Sequence, residues 1–335
     1  MKVSIHPAFN VYYYSFYIEG LARTFGSAAL SFGGSCFPAL GTFSKDCLAF
    51  VVWPSGIRVC IDARDGTFLD PTYVVWSDVY AKVNSNVDDR SVVHARKILP
   101  IGPSFGVRVF AAFAALVRAH QTAMNGRSTI GRLREHFANY WRQYRYRLPE
   151  SAYVPGASDG AYAFFAGSLW HSEPECNEYR ARFIRACRQE SGLTFEGGFA
   201  PRNREPVDGY DDCMVRQRYP LSEYLAKVRR SAVAFNTPAV AGCHSWKLGE
   251  FLALGKAIVS TPLLRGMPAP LMHGQQVHYV DGSSESIRDA VARICRDQRY
   301  RQGLEKGARD YYRQHLAPES VIQSTIALGE TVSAR

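Results

Sequence analysis

Short apolar runs alternate with segments of helical periodicity through the second half of the chain. Residues 161–166 (AYAFFA) form one such run, which ends at a Gly-Ser turn and is too short for a helix. Residues 175–189 then place apolar side chains three and four positions apart, which is typical of an amphipathic helix. Strands and helices in this order form right-handed βαβ units around a parallel sheet. The alternation predicts strands at 161–166, 193–195, 232–235, 257–261 and 277–280, and helices at 175–189, 221–230, 246–254 and 287–295.

The first half of the chain mixes the same two kinds of segment less regularly. The pattern predicts strands at 2–6, 48–53, 57–61 and 73–76, and helices at 12–25, 108–124 and 132–146. Residues 151–160 (SAYVPGASDG) have the composition of a linker. We therefore predict an α/β protein with two Rossmann-like domains that face a cleft, residues 1–150 and 161–317. Ligands of such sheets bind beyond the carboxyl ends of the strands.

Composition excludes several classes of protein. The chain has 335 residues, of which 47% are hydrophobic and 21% are charged, so a disordered protein is excluded. The longest wholly apolar run, 109–117, is about half a membrane span, and the first ten residues lack the apolar core of a signal peptide. The eight cysteines show no zinc-ligand spacing, which favours reduced thiols. We expect a cytoplasmic protein.

The charge of the chain is basic and unevenly spread. Its net charge is +10, and residues 108–149 contain eight arginines and one glutamate. A basic chain attracts anions such as nucleic acid, anionic lipid headgroups or phosphorylated substrates. Arg132–Arg147 (RLREHFANYWRQYRYR) interleaves arginines with aromatic residues. This stretch fits single-stranded nucleic acid, an anionic membrane surface, or an amphipathic helix whose aromatic side chains belong to the core.

Residues 231–261 carry the strongest chemical signal. A strand ends at Phe235, and a helix begins after Ser245, a suitable N-cap residue, and ends at Gly255. Lys247 and Glu250 are three positions apart and share a face of this helix.

This face suits a nucleoside diphosphate. The free N–H groups at the helix N-terminus and the Lys247 ammonium favour a phosphate, and the Glu250 oxygens suit the hydroxyl groups of a ribose. An ordinary surface ion pair between Lys247 and Glu250 is the alternative.

Residues 243–263 (CHSWKLGEFLALGKAIVSTPL), the tail from 273 onward and the opening AYAFFAGSLW together resemble the C-terminal domain of GT-B glycosyltransferases. The resemblance covers about residues 161–315. It implies that residues 1–150 bind an acceptor, that residues 161–317 bind a nucleotide sugar, and that the helix at 318–335 returns to the first domain. It also implies that Glu250 binds the donor ribose and that Lys247 and the Gly167-Ser168 turn lie at the diphosphate.

One position departs from the family pattern. Many retaining members carry two glutamates eight positions apart, and the first of them touches the donor sugar. Glu250 corresponds to the second, whereas the first position is Gly242. His244 and Ser245 are the candidates to replace that contact.

Further donor-binding candidates lie in the loops that follow predicted strands. Arg202 and Arg204 can reach the diphosphate, although a solvated basic loop explains them equally well. The remaining candidates flank the Lys247 helix and can contact the base, sugar or phosphates, and a simple turn is the alternative for the first three: Asn236, Thr237, Pro238, Trp246 and Leu248.

Candidates for the general base of an inverting reaction follow the predicted strands of the first domain. His6 follows the first strand and titrates near neutrality, and Asp78 follows the predicted strand 73–76. Asp62 and Asp65 are weaker candidates, and Lys82 lies on the same side. A capping or hydrogen-bonding role in the fold is the favoured alternative for each of these residues.

The chain lacks the common nucleotide-triphosphate, hydrolase and metalloprotease motifs, and its adjacent aspartate pairs lie in polar loops. We expect no metal and no cofactor. The predicted function is transfer of a sugar from a nucleoside-diphosphate sugar to a glycan or lipid-linked glycan in surface polysaccharide synthesis, with possible peripheral attachment to an anionic membrane. The alternative is a basic module that binds a membrane glycan or nucleic acid without catalysis, nucleic acid being the less favoured ligand.

Overall fold

A computed structural model of the chain describes residues 1–37, 46–86, 94–125, 133–201 and 207–334. The chain divides into two compact units. Unit 1 comprises Met1–Ala152, Arg265–Pro268 and His315–Arg335, and unit 2 comprises Tyr153–Leu264 and Ala269–Gln314.

Unit 1 is built on a mixed sheet with the strand order β2-β1-β3-β4-β5-β6. β1 runs antiparallel to β3, and β3 runs antiparallel to β4, whereas β4, β5 and β6 are parallel. The carboxyl ends of β1, β4 and β5 therefore lie at the same edge of the sheet. The strands of unit 1 are β1 (Lys2–Ile5), β2 (Leu30–Phe32), β3 (Leu48–Trp53), β4 (Ile57–Asp62), β5 (Val79–Lys82) and β6 (Ile98–Pro100), and its helices are α1 (Val11–Phe25), α2 (Pro71–Trp76), α3 (Ala112–Asn125), α4 (Leu133–Tyr146) and α10 (Pro318–Ser333).

The C-terminal helix α10 packs against α1 and against one face of the unit 1 sheet. Gly20 on α1 permits the close approach, because a Cβ atom there would lie 2.2 Å from the carbonyl oxygen of Pro318. On the other face, α2 contributes Tyr73 and Trp76 to a core cluster with Tyr80 of β5. Both faces of the sheet are thus covered by helices, as an α/β fold requires.

The segment 71–76 is a helix, so the predicted strand there is wrong. Asp70 caps it by accepting a hydrogen bond from the backbone N–H of Thr72 at 3.1 Å, and Pro71 occupies the first turn. Proline in that position is pre-organised for a helix, and this start signal prevails over the β-branched run that follows. The strand is instead β5, which begins at Val79.

Unit 2 contains two parallel ladders, β7 with β8 and β9 with β10 and β11. Its core includes Phe183 of α5 stacked on Phe235 of β9, with ring centroids 4.6 Å apart. The strands of unit 2 are β7 (Tyr162–Gly167), β8 (Thr194–Phe199), β9 (Ala234–Asn236), β10 (Ile258–Ser260) and β11 (His278–Tyr279), and its helices are α5 (Pro174–Gln189), α6 (Leu221–Arg230), α7 (Trp246–Ala253), α8 (Ser284–Arg296) and α9 (Gln298–Tyr311). The α/β class and the parallel strand order predicted for the second half are confirmed.

Among the described residues, no helix combines the length and the apolar character that crossing a membrane demands.

Candidate functional site

The candidate site lies in unit 2, where β7 ends at Gly167 and Ser168 follows it. A Cβ atom on Gly167 would lie 2.8 Å from the ring of Phe165 and 3.9 Å from Lys247 Nζ. Gly167 is buried and has no side chain, so its backbone lies close to the lysine ammonium. Backbone N–H groups next to a cation form a suitable environment for an anion.

Lys247 extends from the first turn of α7 toward the end of β7. Its ammonium donates a hydrogen bond to the carbonyl oxygen of Ala166 and lies 5.3 Å from the ring centroid of Phe165. Burial and, to a smaller extent, the nearby Arg180 cation lower the pKa of Lys247 to about 8, against the opposing effect of Glu250. A bound anion would offset both effects.

Arg180 is a second cation at this site, and the sequence analysis missed it. The Arg180 side chain is buried on α5, and its Nε donates to Thr237 Oγ1 at 3.0 Å while Nη1 donates to the carbonyl oxygen of Ser168 at 3.2 Å. Burial lowers the pKa of Arg180 from its usual value. The signal was present in the sequence, because Arg180 falls on the same helical stripe as the buried residues Asn177 and Ile184.

Glu250 lies one turn beyond Lys247 and is buried. Tyr224 of α6 donates a hydrogen bond from its hydroxyl to Glu250 Oε2 at 3.1 Å, and the Tyr224 pKa is raised by burial and by this carboxylate. The alternative of an exposed ion pair between Lys247 and Glu250 is therefore wrong. A carboxylate held in one orientation is suited to accept hydrogen bonds from a pair of hydroxyl groups.

Hydrogen bonds fix the start of α7 against the loop after β9. Ser245 Oγ accepts from the backbone N–H of Leu248 at 3.2 Å and donates to Asn236 Oδ1 at 2.9 Å. Asn236 in turn donates to Ser260 Oγ at 3.0 Å. The carbonyl oxygen of Pro238 accepts from Cys176 Sγ at 3.1 Å. The predicted N-cap is thus present, and it holds the helix N-terminus beside the ends of β9 and β10.

Three predicted donor contacts at the start of α7 differ in burial. The Leu248 side chain is fully buried in the core, so its side chain is not available to a ligand. His244 is also buried, while Trp246 is partly exposed.

Gly242, which the sequence resemblance aligns with a glutamate, has a left-handed backbone. Its φ is +72°, and the preceding Ala241 has φ +56°. Both angles lie in the left-handed region, which glycine adopts without strain and a glutamate would occupy at a cost.

The predicted diphosphate contacts Arg202 and Arg204 lie outside the described residues. Within the described ranges, no group of three or more histidine, cysteine, aspartate or glutamate side chains is arranged to hold a metal ion.

The two base candidates of unit 1 lie in different surroundings. His6 follows β1 at the carboxyl edge of the sheet, is buried, and accepts a hydrogen bond from the Ala8 backbone at Nδ1 over 3.2 Å. Burial lowers the His6 pKa to about 4, so the ring is neutral at pH 7.

Asp78 precedes β5 and does not follow a strand, so the strand assignment that made it a candidate base was wrong. It therefore lies at the amino end of β5, and Arg58 binds it through two side-chain hydrogen bonds of 2.7 and 3.1 Å. Burial acts against ionisation, but the hydrogen bonds from Arg58 prevail and hold the Asp78 pKa below its usual value. This pairing is typical of a structural carboxylate.

The carboxyl edge of the unit 1 sheet also holds a buried ionic cluster. Asp62 ends β4 and lies 3.1 Å from Lys82 Nζ, 2.7 Å from Arg64 Nη2 and 2.6 Å from the Tyr80 hydroxyl. Burial raises the Asp62 pKa, but Arg64 and Lys82 outweigh burial and lower it overall. These contacts support the structural role that the sequence analysis allowed for both Asp62 and Lys82.

No family model matches the chain, and no curated protein does. Comparison with solved structures matches the chain to glycosyltransferases. A sucrose-phosphate synthase from Thermosynechococcus elongatus is 12% identical over 96% of this chain and 93% of that one, with a TM-score of 0.44. Anabaena HepE, crystallised with UDP, is 10% identical over 77% and 72% of the two chains, with a TM-score of 0.40. The C-terminal domain of LpcC, a group 1 family glycosyl transferase from Francisella tularensis, is 15% identical over 49% and 89%, with a TM-score of 0.33.

The chain is similar to glycosyltransferases. At these identities and TM-scores, the assignment of substrate and mechanism rests on the site itself.

Proposed function

We propose that unit 2 binds the nucleoside diphosphate of a sugar nucleotide, and that the protein transfers the sugar to a glycan or lipid-linked glycan acceptor. One observation carries the proposal. Lys247 and Arg180 bring two cations to the Gly167-Ser168 turn, and Glu250 lies one helical turn beyond them. Cations followed by a carboxylate suit the order of groups in a nucleoside diphosphate, where the phosphates precede the ribose hydroxyls.

The chemistry of the proposed reaction follows from this placement. When the bond between the sugar and the diphosphate breaks, negative charge grows on the leaving phosphate oxygens. Lys247, Arg180 and the N-terminus of α7 stabilise that charge, which lowers the barrier for the step. In this proposal these groups neutralise the diphosphate, and the reaction proceeds without a divalent metal ion.

For an inverting reaction, we propose His6 as the group that accepts the proton of the acceptor hydroxyl. At pH 7 the neutral imidazole has one basic nitrogen, Nδ1, which accepts a hydrogen bond from the Ala8 backbone. This hydrogen bond must open before His6 takes the proton, and a pKa of about 4 makes the imidazole a weak base. We propose that this reaction is a step in the synthesis of a surface polysaccharide.

The test is release of nucleoside diphosphate from UDP-, GDP- and ADP-sugars by the purified full chain, with water as the acceptor and with or without EDTA. We expect turnover of one nucleotide class, equal with and without EDTA. Lys247→Met should lower it about tenfold or more, because a charge-assisted contact to phosphate is lost. Lys306→Met, which removes an exposed lysine of α9, is the matched control and should retain activity.

Turnover that requires a divalent ion would refute the metal-free mechanism. Binding of a nucleotide sugar without any turnover, even with cell glycans added, would favour the binding-module alternative, for which the left-handed glycine at position 242 is the specific observation.

A further inference from the structure

Helix α3 of unit 1 is apolar on two opposite faces. Its buried face consists mainly of small side chains that pack against the rest of unit 1. Its opposite face is exposed and mainly apolar, with His120 among the apolar residues, and Phe113 there has 80% of its surface accessible. A helix on the surface of a soluble domain ordinarily turns polar residues outward. The exposed apolar residues are Phe113, Leu116, Val117 and Met124, and the buried residues are Ala115, Ala119, Thr122 and Ala123.

Helix α4 carries a second exposed apolar stripe. Leu133, Phe137 and Trp141 follow one another at four-residue spacing and are all exposed, with 51% of Trp141 accessible. The ring of Tyr144 lies 5.6 Å from that of Trp141 and extends the stripe. Tyr140, by contrast, is 1% exposed, so the sequence-based alternative that the aromatic residues are core applies to this one residue.

The two helices hold each other through their buried faces. Thr122 Oγ1 of α3 lies 3.0 Å from His136 Nε2 of α4. Thr122 Oγ1 also lies 3.3 Å from the Tyr140 hydroxyl, and the ring centroids of His136 and Tyr140 are 5.1 Å apart. Gln143 of α4 accepts from the backbone N–H of Val109 at 3.0 Å. The packing of this helical pair therefore does not use the exposed stripes.

Exposed arginines accompany the apolar stripe of α4. Arg134 precedes Phe137 by three positions and Trp141 by seven, and Arg145 follows Trp141 by four, so both share its face. Arg142 is exposed beside them. Between residues 108 and 149 the sequence has eight arginines against a single glutamate. Three of these arginines, Arg134, Arg142 and Arg145, are exposed on α4, so the exposed part of this helix is cationic as well as apolar. Arg127 and Arg132 lie outside the described residues.

We propose that the exposed apolar residues of α3 and α4, together with the exposed arginines of α4, dock on an anionic lipid bilayer. Aromatic rings beside guanidinium groups suit the level of the headgroups, where arginines meet lipid phosphates and the rings lie against the acyl boundary. The exposed Leu116, Met124 and Leu133 favour a lipid bilayer over a nucleic acid as the ligand. Burial of these aliphatic side chains in lipid is favourable, whereas they cannot stack on the bases of a nucleic acid. The proposal goes beyond the proposed function, since it concerns α3 and α4 of unit 1 and does not require nucleotide binding.

The experiment is sedimentation of the full chain with vesicles of phosphatidylcholine alone or mixed with phosphatidylglycerol. We expect binding to the anionic vesicles, weak binding to the neutral ones, and a decrease with rising salt. Arg134→Glu with Arg145→Glu should lower partitioning about tenfold or more, since each cation contributes about a fivefold factor. The matched control is Arg288→Glu with Arg299→Glu on unit 2, which should sediment like the original chain.

A second variant tests the apolar contribution. Phe113→Ser with Trp141→Ser should weaken vesicle binding, whereas Val75→Ser, which removes an exposed apolar residue of α2, should leave it unchanged. The thermal melting of each variant verifies folding, and the arginine variants remain informative if a serine variant melts early.

Three results would overturn the proposal. The first is absence of binding to anionic vesicles at low salt. The second is an equal loss in the control and α4 arginine variants. The third is a lipid-free dimer, or a complex with single-stranded RNA, that depends on Phe113 and Trp141 while vesicles are not bound.

Discussion

Lys247 combines two properties that a phosphate ligand requires of a lysine: it is positioned by its surroundings and its charge is poorly compensated. Its ammonium is held at the end of β7, and burial together with Arg180 lowers its pKa to about 8. The protonated form therefore prevails below about pH 8 and is lost above it. The last ionisation of a terminal phosphate lies near pH 6, so a diphosphate is largely ionised above pH 7 and the charge of Lys247 is the one expected to change at the site.

Nucleotide affinity should consequently fall as the pH rises from about 7 to about 9, by up to about tenfold per unit once Lys247 has lost its proton. Lys247→Arg should make the affinity independent of pH over this interval, because a guanidinium stays charged. Calorimetric titration of the two proteins at several pH values measures both effects. An equal pH dependence in the two proteins would exclude Lys247 as the titrating group.

Tyr224 positions the Glu250 carboxylate, so its hydroxyl should matter to ribose binding. Tyr224→Phe removes a hydrogen bond to a charged acceptor, which is worth about 1 to 2 kcal/mol, or about five- to thirtyfold in Kd. Tyr219→Phe changes a neighbouring tyrosine with no hydrogen bond to Glu250 and is the control. The two variants would bind nucleotide equally if Glu250 did not contact the ligand.

The sequence predicted the helix that carries Lys247 and Glu250 and its Ser245 cap, because helix capping and helical spacing are local properties. Arg180 and Tyr224 escaped, since they join the site from α5 and α6 through packing that is distant in sequence. Asp78 was selected on a wrong strand assignment and is held by Arg58.

Among the elements, α7 depends on its first residues for both stability and position. Ser245 caps the helix and bonds to Asn236 beyond the end of β9. Ser245→Ala should reduce the stability of unit 2 by about 1 to 2 kcal/mol and also weaken nucleotide binding, because the helix N-terminus loses its anchor.

Ser283→Ala is a matched control, since Ser283 caps α8 by accepting from the backbone N–H of Ser286 at 3.1 Å. Both variants should melt at lower temperature, but only Ser245→Ala should weaken nucleotide binding. Comparable nucleotide affinity in the two would show that the start of α7 does not contact the ligand.

Elements with strong local signals were predicted nearly to the residue, such as α6 at Leu221–Arg230 and β3 at Leu48–Trp53. A strand was predicted at 73–76, where the structure has α2, and the strand β5 begins only at Val79. An apolar run alone therefore does not distinguish a short helix from a strand. A short β-branched segment satisfies either structure, and here the capping Asp70 with Pro71 decides for the helix.

At the scale of the whole molecule, α10 completes unit 1 from the far end of the chain. Gly20 is the point of closest approach to α10, so an added side chain must displace Pro318. Gly20→Val should destabilise unit 1 by about 1 to 3 kcal/mol, as overpacking does.

Nucleotide affinity should be unchanged in Gly20→Val, because the contacts of the candidate site belong to unit 2. Gly66→Ala is the control, as a Cβ atom there has open space around it. Chemical denaturation followed by fluorescence checks the stability. Equal midpoints for Gly20→Val and Gly66→Ala would contradict the packing described for α1 and α10.

The α/β class was predictable from the alternation of strands and helices, which repeats along the chain. The mixed directions of the unit 1 sheet were not, because β1 and β3 pair across a separation in sequence that no local pattern encodes.

The central claim is that Lys247, Arg180 and Glu250 together hold a nucleoside diphosphate. Calorimetric titration of UDP, GDP and ADP into the full chain, Lys247→Met and Lys306→Met tests it most directly. We predict that one nucleotide binds the original chain and the Lys306 variant alike, and binds Lys247→Met about tenfold or more weakly. Absence of binding by all three nucleotides, or equal affinity in Lys247→Met, would contradict the account.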